Sequence, residues 1–369
     1  MANNQFKLPP VSPLMGSTLR AFRKTIGGNP VDPQCKAKKS ITEAIIYLIS
    51  PFRWYEKMFV LPRARKKNPE EIVFIVGHWR GGTTFLHNLM CQTENASYVT
   101  TYQTVFPNFM GSKWLFGPIM KAIMPDKRPS DNVKLAVDFP QEEEFALGGV
   151  NPHAYYRYMF FPKHYKKYYA QATRFEGLSE EEKQTFRRDY KDLIHKALLN
   201  KPGKLLVVKN PVNTARIKFL HKEYPKAKWI HIYRNPYTVF RSTLKFFTQL
   251  LPTLWFEGVS NDFIQQMILE TYVKLYQDYD SALAEIPGLN MVELKFEDFE
   301  KDPVGNLRSI YNKLGLKDFD KSHAQFDNYV NSQKSYQKNK YEMPREMVEL
   351  VDKYWGEYVE RWGYGVPEE

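Results

Sequence analysis

The chain has 369 residues, 43% of them hydrophobic and 15% aromatic, enough to bury a substantial core in one large decorated domain. Lys and Arg outnumber Asp and Glu by 53 to 41, and the net charge of +12 suits a polyanionic ligand, a nucleic acid or an anionic membrane surface. Two cysteines, Cys35 and Cys91, are too few for a metal cluster or a disulfide framework, which fits a reducing compartment and two plain thiols.

Residues 1–67 are basic and dotted with proline around one helical stretch, and read as a basic N-terminal helical extension of a main domain at 68–369. No N-terminal run resembles a signal peptide and no stretch of about 18 apolar residues occurs, so a cytoplasmic, non-spanning chain is expected. Two segments, 41–67 and 113–125, mix apolar and aromatic residues with Lys and Arg. They read either as helices packed inward or as a surface in peripheral contact with lipid.

Next comes "EEIVFIVGHWRGG", a β-branched run ending in a glycine turn, and then "TTFLHNLM", with apolar residues at helical spacing. A helical insertion at about 105–200 is assigned to the acceptor side of the molecule. The runs "KLLVVKNP", "AKWIHIYRNP" and "LNMVELKFEDF" follow, each ahead of a helical pattern. Continuous apolar strands alternating with helices predict an α/β three-layer fold with a central parallel sheet. Three of the four strands end in basic signals, at Arg80, Lys209 and Arg234, which suits an anion site beyond the carboxyl edge.

The glycine turn has the Walker A spacing, with Gly77, Gly82 and a hydroxyl at Thr84, but Thr83 stands where an ATP-binding loop has lysine. Backbone amides of Gly81, Gly82, Thr83 and Thr84 at a helix N-terminus still cradle a phosphate without that lysine. The strand "WIHIY" delivers Arg234 rather than an acid for Mg²⁺, so magnesium-dependent triphosphate chemistry is poorly supplied and no metal is expected.

Three motifs stand in order: "WRGGTT" at 79–84, "IHIYRNPYTVFRS" with Ser242 eight residues beyond Arg234, and "ELKFEDFEKDPVGNLRSIYNKLGL". Over about 72–316 they resemble the sulfotransferases that use 3′-phosphoadenosine 5′-phosphosulfate, in the bacterial-type group whose loop reads "WRSGTT"; Gly81 replaces the serine. The resemblance implies a P-loop-like nucleotide-binding fold and in-line transfer of a sulfuryl group, leaving adenosine 3′,5′-bisphosphate. It assigns the 3′-phosphate to Arg234 and Ser242, the 5′-phosphosulfate to the loop with Arg80, and the sulfuryl group to Lys209.

The catalytic base is less legible. Relatives carry a histidine after the lysine, where this chain has Asn213 in "KNPVN". The remaining candidates lie in "VDFPQEEEFALGG", where Asp138 is read as a helix cap and Glu142, Glu143 and Glu144 crowd one turn. Glu142 ranks first and Glu144 second. His78, His87 and His153 read as structural histidines. In "NSQKSYQKNKYEMP", Lys338 and Lys340 among tyrosines read either as a solvated loop or as a lid over the nucleotide.

Two other classes stay open: a kinase-like phosphotransferase, and a non-catalytic nucleic-acid or membrane binder. The first lacks the Walker lysine; the second, for nucleic acid, expects a concentrated basic arm that is absent. Aromatic clusters in "HAYYRYMFFPKHYKKYY", "KFFTQLLPTLWF" and "KWLFGPIM" suggest a lipophilic hydroxyl acceptor, a sterol or lipid alcohol, over a phenol or carbohydrate.

Overall fold

The structure is a computed structural model that describes residues 11–125, 135–200, 203–333 and 343–367. Its described residues divide into two compact units, one drawn from Met1–Asn68, Val99–Asn200 and Phe246–Asn261, the other from Pro69–Tyr98, Lys201–Lys245 and Asp262–Glu369.

The second unit holds the sheet. β1 (Glu71–Val76), β2 (Ala96–Ser97), β3 (Leu205–Lys209), β4 (Lys228–Tyr233) and β5 (Met291–Lys295) are all parallel, in the order β2-β3-β1-β4-β5. Every residue of β3, and all of β1 after Glu71, is buried, as continuous apolar strands covered on both faces require. Side chains alternate between the faces. Val73 and Ile75 of β1, Val207 of β3, and Ile230 and Ile232 of β4 share one core with Leu86, Leu89, Leu307 and Ile310. On the other parity, Phe74 stacks on Trp229 with ring centroids 4.8 Å apart.

The four strands expected from sequence are present, and the α/β layered architecture with them. Two details differ. The two-residue β2, paired to β3 through Ala96 and Leu205, is too short to leave a periodic signal. The run "LNMVELKFEDF" is strand only to Lys295, because Phe296–Lys301 is already helix.

The chain leaves β1 for one flank of the sheet, β2 and β3, and then crosses to the other, β4 and β5. The reversal therefore falls between β1 and β4, where ligands bind beyond the carboxyl ends of such sheets.

The first unit is helical. Where one helical stretch was expected in residues 1–67, the described part contains Leu19–Ile26, Lys36–Ile49 and a further helical rod at 52–65. Thr18 caps the first of these through the Ala21 N–H, and Pro51 stands immediately before the rod. The rod includes a π turn, Glu56–Val60. Glu56 is buried, pairs with Lys196 Nζ at 3.2 Å and accepts the Gly111 N–H at 3.0 Å. Removing either partner of such a buried pair leaves an uncompensated charge. Both cysteines are free and buried.

Candidate active site

The site is built from the ends of β1, β3 and β4. After β1 the backbone turns through Arg80, whose φ of 65° is left-handed, and Gly82, whose φ is 96°, into the helix Thr83–Met90. Gly82 is required twice. Its φ disfavours any L-residue, and a Cβ there would lie 2.1 Å from the Phe296 ring. The first amides of the Thr83–Met90 helix have no intrahelical carbonyl to bind, so the turn presents N–H donors and the positive end of a helix dipole.

The "RNP" motif has a local explanation. Arg234 follows the last residue of β4, Asn235 caps the next helix through the Tyr237 N–H (3.0 Å) and the Thr238 N–H (3.3 Å), and Pro236 opens that helix, Pro236–Leu254. The same helix supplies Ser242, which is buried.

These elements converge. Arg80 Nε donates to Ser242 Oγ at 2.9 Å, and Arg234 Nη1 reaches the Arg80 carbonyl at 3.4 Å. The Arg234 guanidinium lies 4.4 Å from the centroid of the Phe296 ring. Lys209, buried at the end of β3 and opposite Ile75 of β1, donates from Nζ to Thr84 Oγ1 at 3.3 Å. Arg80, Arg234, Ser242, Lys209, Thr84 and the Gly81–Gly82 turn thus lie in one unit, linked by these contacts.

Two supporting residues escaped the sequence reading. Phe296 is the floor under both Gly82 and Arg234. Thr214 accepts the Gly77 N–H at 2.8 Å and donates to the Gly77 carbonyl at 3.3 Å, fixing the start of the turn. Phe296 opens the helix Phe296–Lys301 directly after β5. Glu297 accepts the Asn235 N–H at 3.1 Å and the Tyr364 hydroxyl at 2.7 Å, which explains that acid structurally.

The histidines behave as structural groups. His78 is buried, its Nδ1 lies 2.8 Å from the Trp79 carbonyl, and burial lowers its pKa to about 3. Burial, with the Lys209 charge adding to it, holds His87 well below its usual range. His153 is lowered by burial and faces Glu182 at 3.3 Å. Asn213 is fully buried in a 3₁₀ turn, Pro211–Ala215, with its N–H on the Asn210 carbonyl.

In the helical unit, Glu142 is the N-cap residue of the short helix Glu143–Gly148. Asp138 is not its cap; it pairs with Lys113 and lies in a turn four residues before the N-cap Glu142. The three glutamates do not crowd together. Glu142 accepts the Tyr156 hydroxyl, Glu143 the Tyr190 hydroxyl at 3.0 Å, and Glu144 the Tyr155 N–H at 2.5 Å. Glu143 and Glu144 are fully buried, whereas Glu142 keeps partial access. Lys338 and Lys340 lie outside the described residues.

A family model described as "Sulfotransferase family" matches residues 72–321. Proteins named omega-hydroxy-beta-dihydromenaquinone-9 sulfotransferase Stf3, from Mycobacterium bovis and Mycobacterium tuberculosis, are 31% identical over 296 residues, covering 79% of this chain and 75% of each relative. Among solved structures, sulfotransferase STF9 from Mycobacterium avium is similar at a TM-score of 0.72 and 16% identity, over 95% of this chain and 93% of that one. Sulfotransferase STF1 from Mycobacterium tuberculosis is similar at a TM-score of 0.63 and 17% identity, over 91% and 90%. At those identities the structural likeness carries the fold alone.

Proposed function

The chain belongs to the sulfotransferase family and is an enzyme of that class, and from that premise we propose that it moves a sulfuryl group from 3′-phosphoadenosine 5′-phosphosulfate to the hydroxyl of a lipophilic acceptor. The observation that carries the donor assignment is the bonded cluster of Arg80, Ser242 and Arg234 beside the Gly82 turn. Two guanidinium groups, a buried hydroxyl and a helix N-terminus suit a bisphosphorylated nucleotide. Arg234 and Ser242 hold the 3′-phosphate. Arg80 and the amides of Gly81, Gly82, Thr83 and Thr84 hold the 5′ side.

The donor supplies an activated S–O bond, and the acceptor oxygen attacks sulfur in line as that bond breaks. Lys209, with Arg80, neutralises charge growing on the transferring and leaving oxygens, so basic side chains and amides do the electrostatic work that a metal does in kinases. Glu142 takes the acceptor proton. Each carboxylate accepts a hydrogen bond, from the Tyr156 hydroxyl and the Tyr155 amide, and the partial exposure of Glu142 favours it over the fully buried Glu144. A Glu142→Gln variant that kept full turnover and an unchanged pH profile would remove that role.

The acceptor reading draws on the 31%-identical relatives, whose name specifies a hydroxylated menaquinone-type lipid. A lipid alcohol or sterol is therefore the acceptor class, and a hydroxylated menaquinone is the first compound to assay. The test is incubation with the donor and matched lipid alcohol, sterol, phenol and oligosaccharide, read by mass for an added sulfuryl group. Sulfation of the oligosaccharide without turnover of either lipid would defeat the lipophilic assignment. In parallel, adenosine 3′,5′-bisphosphate at 100 times its Kd should stabilise the fold by about 2.7 kcal/mol. Equal stabilisation by ATP with Mg²⁺, and none by the bisphosphate, would defeat the donor assignment.

A further inference from the structure

Three helical stretches of the helical unit carry large apolar residues on the outside as well as the inside. In Lys36–Ile49 the exposed positions include Ile41, Ala44 and Leu48, spaced along one helix face, while Thr42 and Ile46 face inward. The rod at 52–65 is more extreme. It buries Glu56 together with Val60 and Ala64 and exposes Trp54, Met58 and Phe59, with Trp54 64% exposed. In Lys113–Ile123, Phe116 and Met120 are buried, whereas Trp114, Ile119 and Ile123 are exposed, Trp114 at 74%. A helix serving only the interior keeps charge outside and apolar groups inside.

The stretches pack beside one another on one core. Phe52 of the rod meets Phe116 edge-on at 5.3 Å, and Ile49 and Leu115 pack against the shared cluster of Tyr102, Phe106, Phe109, Phe116 and Met120. Around the apolar centre the charge is one-sided. Residues 36–67 carry nine Lys or Arg against two Glu; with Lys38 and Glu56 both buried, eight basic groups face one acid outside. Lys57, Arg63, Lys66, Lys67 and Lys121 are all exposed. No helix of the described residues is long and apolar enough to cross a membrane.

From this we propose that the outward face of residues 41–63 and 114–123 is a docking surface for an anionic lipid bilayer. It lies in the headgroup plane with Trp54, Phe59, Trp114 and Ile123 inserted and the lysines and arginines on the phosphates. Tryptophan, phenylalanine and aliphatic residues ringed by basic groups are the chemistry of an interfacial helix, and a second copy of this chain, at net charge +12, does not match that charge. The functional meaning rests on the lipophilic-acceptor reading: docking lets the enzyme take a hydroxylated lipid from the leaflet instead of from water. The docking itself does not depend on that reading.

The full chain, without donor or acceptor, should float with vesicles of phosphatidylcholine and phosphatidylglycerol and much less with phosphatidylcholine alone. The pair Trp54→Ser with Trp114→Ser should lower the ratio of bound to free protein by about tenfold or more. The triple change Lys57→Gln, Lys66→Gln, Lys67→Gln should lower it by a similar factor and reduce its sensitivity to salt. Val366→Ser, at an exposed apolar residue elsewhere, should change nothing. Unaltered melting of the variants and unaltered sulfation of a water-soluble alcohol establish that they are folded. The proposal is overturned if the parent chain floats with neither vesicle, or if the tryptophan pair binds like the parent. It is also overturned if sedimentation finds a dimer that the tryptophan pair dissolves, which assigns the face to a second copy. A chain that floats as expected but transfers no sulfuryl group would sink the enzymatic reading alone.

Discussion

Replacing Gly82 with alanine should cost the fold about 2–5 kcal/mol and loosen the anion site at the same time. The backbone there has φ 96° and ψ −1°, and holding an L-residue in a left-handed conformation costs about 1–2 kcal/mol. The added methyl would lie 2.1 Å from a carbon of the Phe296 ring, which is only 7% exposed and belongs to the core. Forcing a buried ring aside costs about 1–3 kcal/mol more, and the two terms sum to the range above. Phe296 also carries the Arg234 guanidinium, so a displaced ring moves that charge, and adenosine 3′,5′-bisphosphate should bind more weakly. The adjacent Gly81→Ser is the control. Gly81 is not among the positive-φ positions, and its nearest obstacle is the His78 carbonyl at 3.0 Å, so a shift of a few tenths of an ångström accommodates serine. Its cost should stay under about 1 kcal/mol. Thermal melts and bisphosphate titrations of both variants decide the matter. If Gly82→Ala melts and binds like the parent, or Gly81→Ser is the more damaging change, the role given to the Phe296 contact is wrong.

Lys209→Ala should reduce turnover by about 10²–10³ with a smaller effect on bisphosphate affinity, the signature of a charge used in the transition state; normal turnover would remove its role. Ser242→Ala removes the acceptor of the Arg80 Nε hydrogen bond and should weaken bisphosphate binding by about tenfold, equivalent to roughly 1.4 kcal/mol, as read by calorimetry. Turnover should survive EDTA, since the charge at the site comes from side chains and amides; loss with EDTA and recovery with Mg²⁺ would point to a kinase-like mechanism. His78, lowered to about 3 by burial, stays neutral in the fold while the unfolded chain takes up a proton below about 6.5. Stability therefore falls as pH drops from about 6.5 toward 3, and His78→Gln should flatten that slope in melts across the window; an unchanged slope would refute the assignment.

The sheet was legible because β1, β3 and β4 are apolar on both faces, and such runs leave a signal without needing alternation. β2 was not, since two residues carry no period. Arg80 was legible as a basic strand end, whereas Arg234 and Ser242 were singled out through the resemblance of "IHIYRNPYTVFRS" to a family motif; that Ser242 accepts from Arg80, 162 residues earlier, could not be read from either segment alone. Phe296 was invisible because its role depends on Gly82, more than two hundred residues earlier in the chain. The glutamates show a different limit. Their sequence adjacency suggested mutual repulsion, yet each finds its own donor in Tyr156, Tyr190 or the Tyr155 amide. In 41–67 and 113–125 the inward and outward faces are both apolar, so the pattern alone left their orientation undecided.

Arg80 keeps a left-handed φ of 65° while its side chain binds Ser242 and its carbonyl receives Arg234. Relieving that conformation by Arg80→Gly would release about 1–2 kcal/mol of strain while deleting the guanidinium the site is built around. Selection for heat resistance and selection for turnover therefore pull this one position in opposite directions. A library screened only for survival of heating should enrich glycine or asparagine there and return hardy proteins with an empty-handed loop, so any thermostabilising campaign on this fold has to hold position 80 fixed.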